Sequence, residues 1–528
     1  MATDHDTMHG HAGMNRLHDY VRHWNRRQAQ ADAAIGPTRR LTWAALAEAI
    51  DACAAGMIAA GVQRGDRVAM LATPGPDFLV NFLATAAIGG IWAGLNPRYT
   101  DPELDAVIAR IGPRLVFSAA AIEARDYRDW IANLPAAIQA IDLDGGHPPT
   151  DRFMPLSSFL AAGASTTPVE REERYRETRP SDPCLIVFTS GSTGTPKGAM
   201  ISHAALVGTS KVQLQAWPAD PLRVLNNLPI NHIGCVGDLC CYSLVGGGAT
   251  IFTPRFDPAA SLAAIGDEQV TVWGQVPTMF QLTLDAPEFE PDRLASLQLA
   301  FWGGAHAAPE LVSRLHGLAP RIATSYGQTE TVGSVTFTAA QAGPAALSET
   351  VGRVVPPYRI RIVDAEGLTL DSGEEGEIQV HTPFGMSGYW NDPQATANVM
   401  TADGWQRTGD VGTFTPEGDL KLVGRVHDVF KSGGYNIRPA EIEAALATHP
   451  AIREASVVGA PDPLYGAVAV AFVVAAGTPP PADALREYLR DRLANYKIPK
   501  RFVFIDALPR LAVGKIDKQS LRTRAGTG

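Results

Sequence analysis

Residues 185–188 form a short apolar run, and Thr189-Ser190-Gly191-Ser192-Thr193-Gly194-Thr195-Pro196-Lys197-Gly198 follows without a break. A buried strand that feeds directly into small and hydroxylated residues limits the fold sharply, because the loop must open where a strand ends. Its glycines let several backbone N–H groups face one concavity. Its Ser and Thr hydroxyls add donors, and Lys197 adds a point charge. Such a loop holds polyphosphate. It is not a Walker A sequence, because Pro196 stands where that motif needs its second glycine. A flexible Ser/Gly linker would require neither the strand before it nor the Pro-Lys-Gly ending.

The rest of the chain supplies a layered α/β framework for this loop. Residues 41–61 are Ala-rich with helical spacing, and the Gly65-Asp66 turn leads into an apolar strand at 68–71. Similar short runs at 115–117, 249–252 and 270–273 are bracketed by helical or Gly/Pro-marked segments. Residues 166–183, rich in Pro and charge, read as a surface connection. Short alternating segments at 359–363 and 377–380 suggest a small β-rich subdomain. Beyond Arg425, a helix at 439–448 and strands at 455–458 and 468–474 suffice for a compact α+β domain. With 528 residues, 45% of them hydrophobic, the chain can bury one large core and a second module. The expected division is a domain over 1–424, with a disordered, solvated tail at 1–15, and a C-terminal domain over 425–528.

A formal charge of −10 without any Lys/Arg block gives no footprint for nucleic acid or an anionic membrane surface. Five cysteines, Cys53, Cys184, Cys235, Cys240 and Cys241, are too sparse for a disulfide framework. They read as buried structural thiols in a reducing cytoplasm, and no zinc site is expected. Residues 78–95 carry only Asn81 and Thr85 as polar side chains, which raises the question of a membrane span. Gly89, Gly90, Gly94 and the preceding Asp77 favour a buried core helix instead. The N-terminal stretch with His5, His9 and His11 has no apolar core of the secretory kind.

Further motifs lie downstream: Phe301-Trp302-Gly303-Gly304-Ala305, Ser325-Tyr326-Gly327-Gln328-Thr329-Glu330, Thr408-Gly409-Asp410, Gly424-Arg425-Val426-His427-Asp428, Lys431-Ser432-Gly433-Gly434-Tyr435, and Gly514-Lys515-Ile516. In this order, and with the loop at 189–198, they closely resemble the adenylate-forming superfamily of acyl-CoA synthetases, peptide-synthetase adenylation domains and beetle luciferases. The resemblance implies a large N-terminal domain of layered αβ subdomains and a mobile C-terminal domain. It also implies that Thr189, Ser190, Gly191, Ser192, Thr193, Gly194 and Lys197 hold the ATP phosphates. Gly303, Gly304, Ala305, Ser325 and Gly327 would lie along the nucleotide, with Tyr326 stacked on adenine and Thr329 at the α-phosphate. Glu330 would bind Mg²⁺; a carboxylate beside a triphosphate is tolerable only with a hard cation between them. Thr324 departs from the Asn or Asp often found at its position. Asp410 would take the ribose hydroxyls, and Arg425 would reach the ribose or phosphates. Ser432, Gly433 and Gly434 would lie beside the pantetheine arm of coenzyme A.

Lys515 is the catalytic lysine that the resemblance assigns between the substrate carboxylate and the α-phosphate, acting with Glu330, Thr329 and Lys197. His427 takes the hinge position, where the family usually has Asp or Lys. There an imidazole is either a bland exposed substitution or a source of pH-sensitive domain motion. Leu228-Pro229-Ile230-Asn231-His232-Ile233-Gly234 is similar to the stretch at the mouth of the acyl pocket. His232, Ile233, Val236, Gly237, Trp302, Gly303, Gln328 and Val332 are the candidate walls, mostly apolar, which favours an aromatic or medium-to-long aliphatic acid.

The expected reaction joins a carboxylic acid to ATP, releasing pyrophosphate, and then passes the acyl group from acyl-AMP to coenzyme A. The alternative is a free-standing adenylation enzyme that loads a carrier protein. Ile233 stands where amino-acid-adenylating relatives carry an Asp, although Asp238 lies five residues on. ATP, Mg²⁺, coenzyme A and a small carboxylic acid are the expected partners. A homodimer is a candidate assembly, and no integral membrane association is expected.

Overall fold

The computed structural model describes residues 13–145, 153–189, 196–339, 342–426, 428, 430–432, 435–510 and 516–526. It divides the chain into two compact units. The first comprises Met1–Ser348, Gly352–Tyr358 and Thr382–Asn398; the second comprises Glu349–Val351, Arg359–His381 and Val399–Gly528. The β-rich segment is therefore grouped with the C-terminal residues.

Two large sheets organise the first unit. One runs Gly388–Tyr389, Lys197–Ser202, Pro183–Thr189, Ile91–Gly94, Arg67–Leu71, Leu115–Ser118, Gln139–Asp142, Phe153–Pro155. The other places Gly333–Phe337, Ile322–Gln328, Leu299–Trp302, Val272–Gln275, Arg223–Asn226 and Ala249–Phe252 side by side. Their inner strands are parallel and apolar on both faces, as strands covered on two sides must be. One core cluster joins strand residues such as Met70, Trp92 and Val187 to the helices Trp43–Ala59 and Pro76–Ala87. A second packs Trp273, Trp302 and Ala300 against the helices Pro258–Asp267 and Pro309–His316. This is the layered α/β class expected from the sequence.

Three local expectations need correction. The apolar run at 78–95 is not one helix: Pro76–Ala87 is helical, Gly89 turns at φ +79°, and Ile91–Gly94 is a strand. Two glycines stop the helix, and the tryptophan-bearing run beyond them pairs into the sheet. The supposed surface connection at 166–183 contains the helix Pro168–Glu177 and the first residue of the phosphate-loop strand. Thr167 caps that helix by accepting the Glu170 N–H, and Pro168 fits its first turn. The strand expected at 270–273 runs Val272–Gln275.

The second unit holds a four-stranded antiparallel sheet, Arg359–Val363, Gly376–His381, Gln406–Phe414 and Leu420–Arg425. It also holds a three-stranded sheet of Ile452–Asp462, Gly466–Ala475 and Arg501–Phe504. On the latter, Ile442, Leu446, Leu485 and Leu489 of two helices cover one face, and Leu521 of Lys518–Gly526 joins the cluster on the other. Among the described residues no helix is long and apolar enough to cross a membrane, and all five cysteines are free and buried.

Candidate active site

The strand Pro183–Thr189 pairs antiparallel with Lys197–Ser202, and Thr189 stands opposite Lys197. The phosphate-loop sequence thus connects two neighbouring strands, with its first hydroxyl and its lysine at the two stems. Ser190, Gly191, Ser192, Thr193 and Gly194 lie outside the described residues, as do His427, Gly433, Gly434 and Lys515.

Glu330 meets these stems. Its Oε1 accepts the Thr189 hydroxyl at 3.2 Å and the Tyr389 hydroxyl at 2.7 Å. Tyr389 pairs with Ala199 on the lysine strand, and the Lys197 ammonium lies 5.5 Å from the centroid of its ring. Burial and the adjacent Glu330 push the Tyr389 phenol far above its ordinary value, so it remains a hydrogen donor. The Met386 N–H also bonds the Glu330 carbonyl, which ties backbone and side chain of Glu330 to one segment. Tyr389 carries no motif signal beyond a Gly-Tyr-Trp triplet, and the sequence reading passed over it.

The segment before Glu330 is fixed from its other edge. Tyr326 is buried, its N–H bonded to Thr336 Oγ1 at 3.0 Å, and Ser325 Oγ shares a 2.8 Å hydrogen bond with Ser334 Oγ. Gly327 has no room for a side chain, since a Cβ would lie 2.0 Å from the Gly333 carbonyl oxygen. Thr324 is buried, with its N–H donated to Thr338 Oγ1. Gly303 follows the neighbouring strand and would place a Cβ 3.6 Å from Ser325 Oγ; Gly304 turns at φ +77° and Ala305 is exposed. Gln328 and Thr329 are half-buried. Just beyond Glu330, Val332 sits at φ +62°, a conformation that strains a β-branched residue. The Thr331 hydroxyl, within 3.0 Å of the Gln328 carbonyl and 2.8 Å of the Gly333 carbonyl, holds the turn.

The acyl-pocket candidates separate into two groups. Ile233, Val236 and Val332 share one apolar cluster, Gly237 packs against the Ile233 side chain, and half-buried His232 precedes the π-helix Gly234–Cys241. Trp302 belongs to the other cluster, with Trp273 and Ala307, because the strand's alternation turns it to the opposite face. Phe301 points toward the π-helix instead: a Cβ at Gly274 would meet Phe301 at 2.4 Å and Leu239 at 2.9 Å.

In the second unit, Asp410 is buried on Gln406–Phe414, paired in register with Arg425 and bridged to its guanidinium at 3.0 Å. Asp428 binds Lys518 at 3.2 Å and Arg522 at 2.5 Å. Burial opposes its ionisation, but the two cations outweigh it and hold the carboxyl below its usual range. Ser432 is buried and stands opposite Tyr435 where Phe430–Ser432 pairs antiparallel with Tyr435–Ile437.

The pattern of the AMP-binding enzyme family matches residues 21–390, and that of the AMP-binding enzyme C-terminal domain matches residues 441–515. The chain belongs to the AMP-binding enzyme family. Among curated relatives, it is 35% identical to a feruloyl-CoA synthase of an Amycolatopsis species over 92% of this chain and 94% of the relative. It is 34% identical to the indoleacetate–CoA ligase of Aromatoleum aromaticum over 92% and 93%. Among solved structures, the amide bond synthetase McbA of Marinactinospora thermotolerans superposes with a TM-score of 0.83 at 30% identity, covering 96% of this chain and 99% of that one. This AMP-binding enzyme is an AMP-forming acid–thiol ligase. It uses ATP, Mg²⁺ and coenzyme A, and its first product is an acyl-adenylate.

Proposed function

We propose that the acid is an aromatic or other apolar carboxylic acid, and that the motif residues divide the two half-reactions as follows. The observation that carries the reading is the convergence of Thr189 and Tyr389 on the Glu330 carboxyl, with the Lys197 ammonium against the Tyr389 ring. A carboxylate has oxide as its nominal leaving group, so attack on its carbonyl carbon needs prior activation. Its oxygen attacks the α-phosphorus of ATP, and pyrophosphate leaves. Two anions meet in this step, so positive charge and oriented donors must surround them.

Lys197 and the loop donors bind the pyrophosphate portion. Glu330 fits a magnesium ligand: Oε1 is held by two hydroxyls, and Oε2 accepts no hydrogen bond among the described residues. No cluster of three or more metal-ligating side chains occurs among them, which suits an ion bound through one carboxylate and the substrate phosphates. When bound, Mg²⁺ supplies charge neutralisation at the phosphates. Thr329 takes the α-phosphate, Tyr326 the adenine and Asp410 the ribose, while Lys515 bridges carboxylate and α-phosphate.

In the second half-reaction the thiol of coenzyme A attacks the acyl carbon and AMP departs. Lys515 is no longer needed there, and the segment 425–428, with His427 at its hinge position, is proposed to carry the change of domain orientation. Ser432, Gly433 and Gly434 flank the pantetheine arm. The apolar cluster of Ile233, Val236 and Val332 supports an apolar acyl group, and the relatives' feruloyl and indoleacetate substrates support an aromatic one. Free buried cysteines support a reducing cytoplasm.

The test is thioester formation from a panel of aryl, fatty and amino acids with ATP and Mg²⁺, with and without coenzyme A. A CoA-dependent thioester from apolar acids is expected. Adenylation confined to amino acids would overturn the assignment of the acid.

A further inference from the structure

Asp238 lies within the π-helix Gly234–Cys241, among the apolar residues proposed to surround the acyl group. A π-helix is a costly irregularity that recurs at functional sites because it re-aims side chains. Here it carries a carboxyl against the turn that follows Glu330: a Cβ at Gly333 would lie 2.4 Å from Asp238 Oδ1. Gly333 turns at φ +94° and, having no Cβ, lets the carboxyl approach its backbone. The backbone of Asp238 is fixed as well, its carbonyl accepting Gln213 Nε2 at 3.0 Å.

No cation compensates this carboxyl among the described residues. Burial raises its pKa to about 7, and only the Ser334 N–H opposes the shift. Tyr358, whose buried hydroxyl has no hydrogen-bond partner among the described residues, has its pKa raised first by burial and then by Asp238. A carboxyl with no such cation, whose donor is the Ser334 N–H, lies near the unsatisfied Tyr358 hydroxyl and among the apolar residues Ile233, Val236 and Val332, and it has lone pairs left for a further donor. Yet Asp238 keeps accessible surface, whereas its neighbours Gly237 and Leu239 are buried.

We infer that Asp238 lines the acyl pocket and selects acids whose ring carries a neutral hydrogen-bond donor, a phenolic O–H or a ring N–H. The donor bonds the carboxyl and the ring lies on the apolar walls. This inference rests on the proposed acid–CoA ligase reading and deepens it, because apolar walls alone accept any acid of suitable shape. A site built to bind a donor rejects the analogue that lacks one, since its own polar group is then left unpaired.

The test uses two matched pairs on the full-length enzyme: 4-hydroxycinnamic against cinnamic acid, and indole-3-acetic against 1-naphthaleneacetic acid. For the wild type, kcat/KM for CoA-thioester formation is expected to favour the donor-bearing member of at least one pair by ~10-fold or more. Asp238→Leu is expected to level that pair by raising KM for the donor-bearing acid, with the donor-free acid and the KM for ATP little changed. Asp238→Asn, which keeps an acceptor oxygen, is expected to retain part of the preference. Equal wild-type treatment of both pairs overturns the inference whether or not the variants fold, and so does an equal loss on both members in Asp238→Leu. Thioester from none of the four acids overturns the reading of the acid as aromatic, and this inference with it.

Discussion

Tyr389 and Thr189 donate to the same oxygen of Glu330, while Lys197 lies over the face of the Tyr389 ring. One phenol thereby relates the carboxylate proposed to hold magnesium to the lysine proposed to hold pyrophosphate. Removing its hydroxyl leaves the carboxylate oxygen held, among the described residues, by Thr189 alone, so Tyr389→Phe is expected to raise the Mg²⁺ concentration for half-maximal pyrophosphate exchange by ~5- to 10-fold, within the range for one ordinary hydrogen bond. A Mg²⁺ titration checks this, and KM for the acid should stay near the wild-type value. Lys515→Ala is expected to abolish adenylation and to leave thioester formation from supplied acyl-AMP largely intact. Loss of both in a folded variant contradicts the division of labour. Lys197 stands out as a candidate because it sits in a run whose residue types serve one chemistry, and Tyr326 and Glu330 stand out through the resemblance of their motif. Tyr389 does not, since its role arises from pairing with Ala199, and strand pairing between distant segments leaves no local mark.

Elements were legible where one period dominated. The helix Trp43–Ala59 and the strand Ala249–Phe252 follow from their apolar spacing, the latter with the expected bounds. The helix Pro168–Glu177 escaped because its charged surface resembles a solvated loop; its start is marked only by Thr167 and Pro168. Thr167→Ala is expected to destabilise the first unit by about 1 kcal/mol, read as a lower denaturation midpoint with adenylation unchanged. The π-helix Gly234–Cys241 escaped for a different reason: one extra residue in a helical turn depends on what packs around it. The same applies to Val332, whose positive φ is imposed by the Thr331 bonds and not announced by a glycine. Trp302 was assigned to the pocket from its place beside the glycine pair, whereas strand alternation sends Phe301 toward the π-helix and Trp302 away from it.

At the scale of the whole chain, two parallel-rich sheets follow from repeated apolar runs, but the order of strands in each is set by crossovers that composition does not encode. The first unit also buries two imidazoles near its N-terminal helix. Desolvation, with nearby arginines contributing, lowers His18 to about 3 and His203 to about 4 from an ordinary 6.5. His203 Nδ1 accepts the Leu17 N–H at 3.4 Å, which requires that nitrogen to be unprotonated. The unfolded chain binds protons below pH 6.5 while the folded chain does not, so stability is full above that value and falls as pH drops toward about 4. Thermal melts between pH 7 and 4 should show this fall, and His203→Gln should lessen it while His18 sustains the remainder. A melting temperature that is level over this range contradicts the account of these imidazoles.

The most direct test of the reaction itself is to supply the acid with both carboxylate oxygens labelled with ¹⁸O and to analyse the products by mass spectrometry after one turnover with ATP and coenzyme A. Attack of the carboxylate on the α-phosphorus predicts one labelled oxygen in AMP, one in the acyl thioester and none in pyrophosphate. Label in inorganic phosphate, or AMP without label, would contradict an acyl-adenylate intermediate.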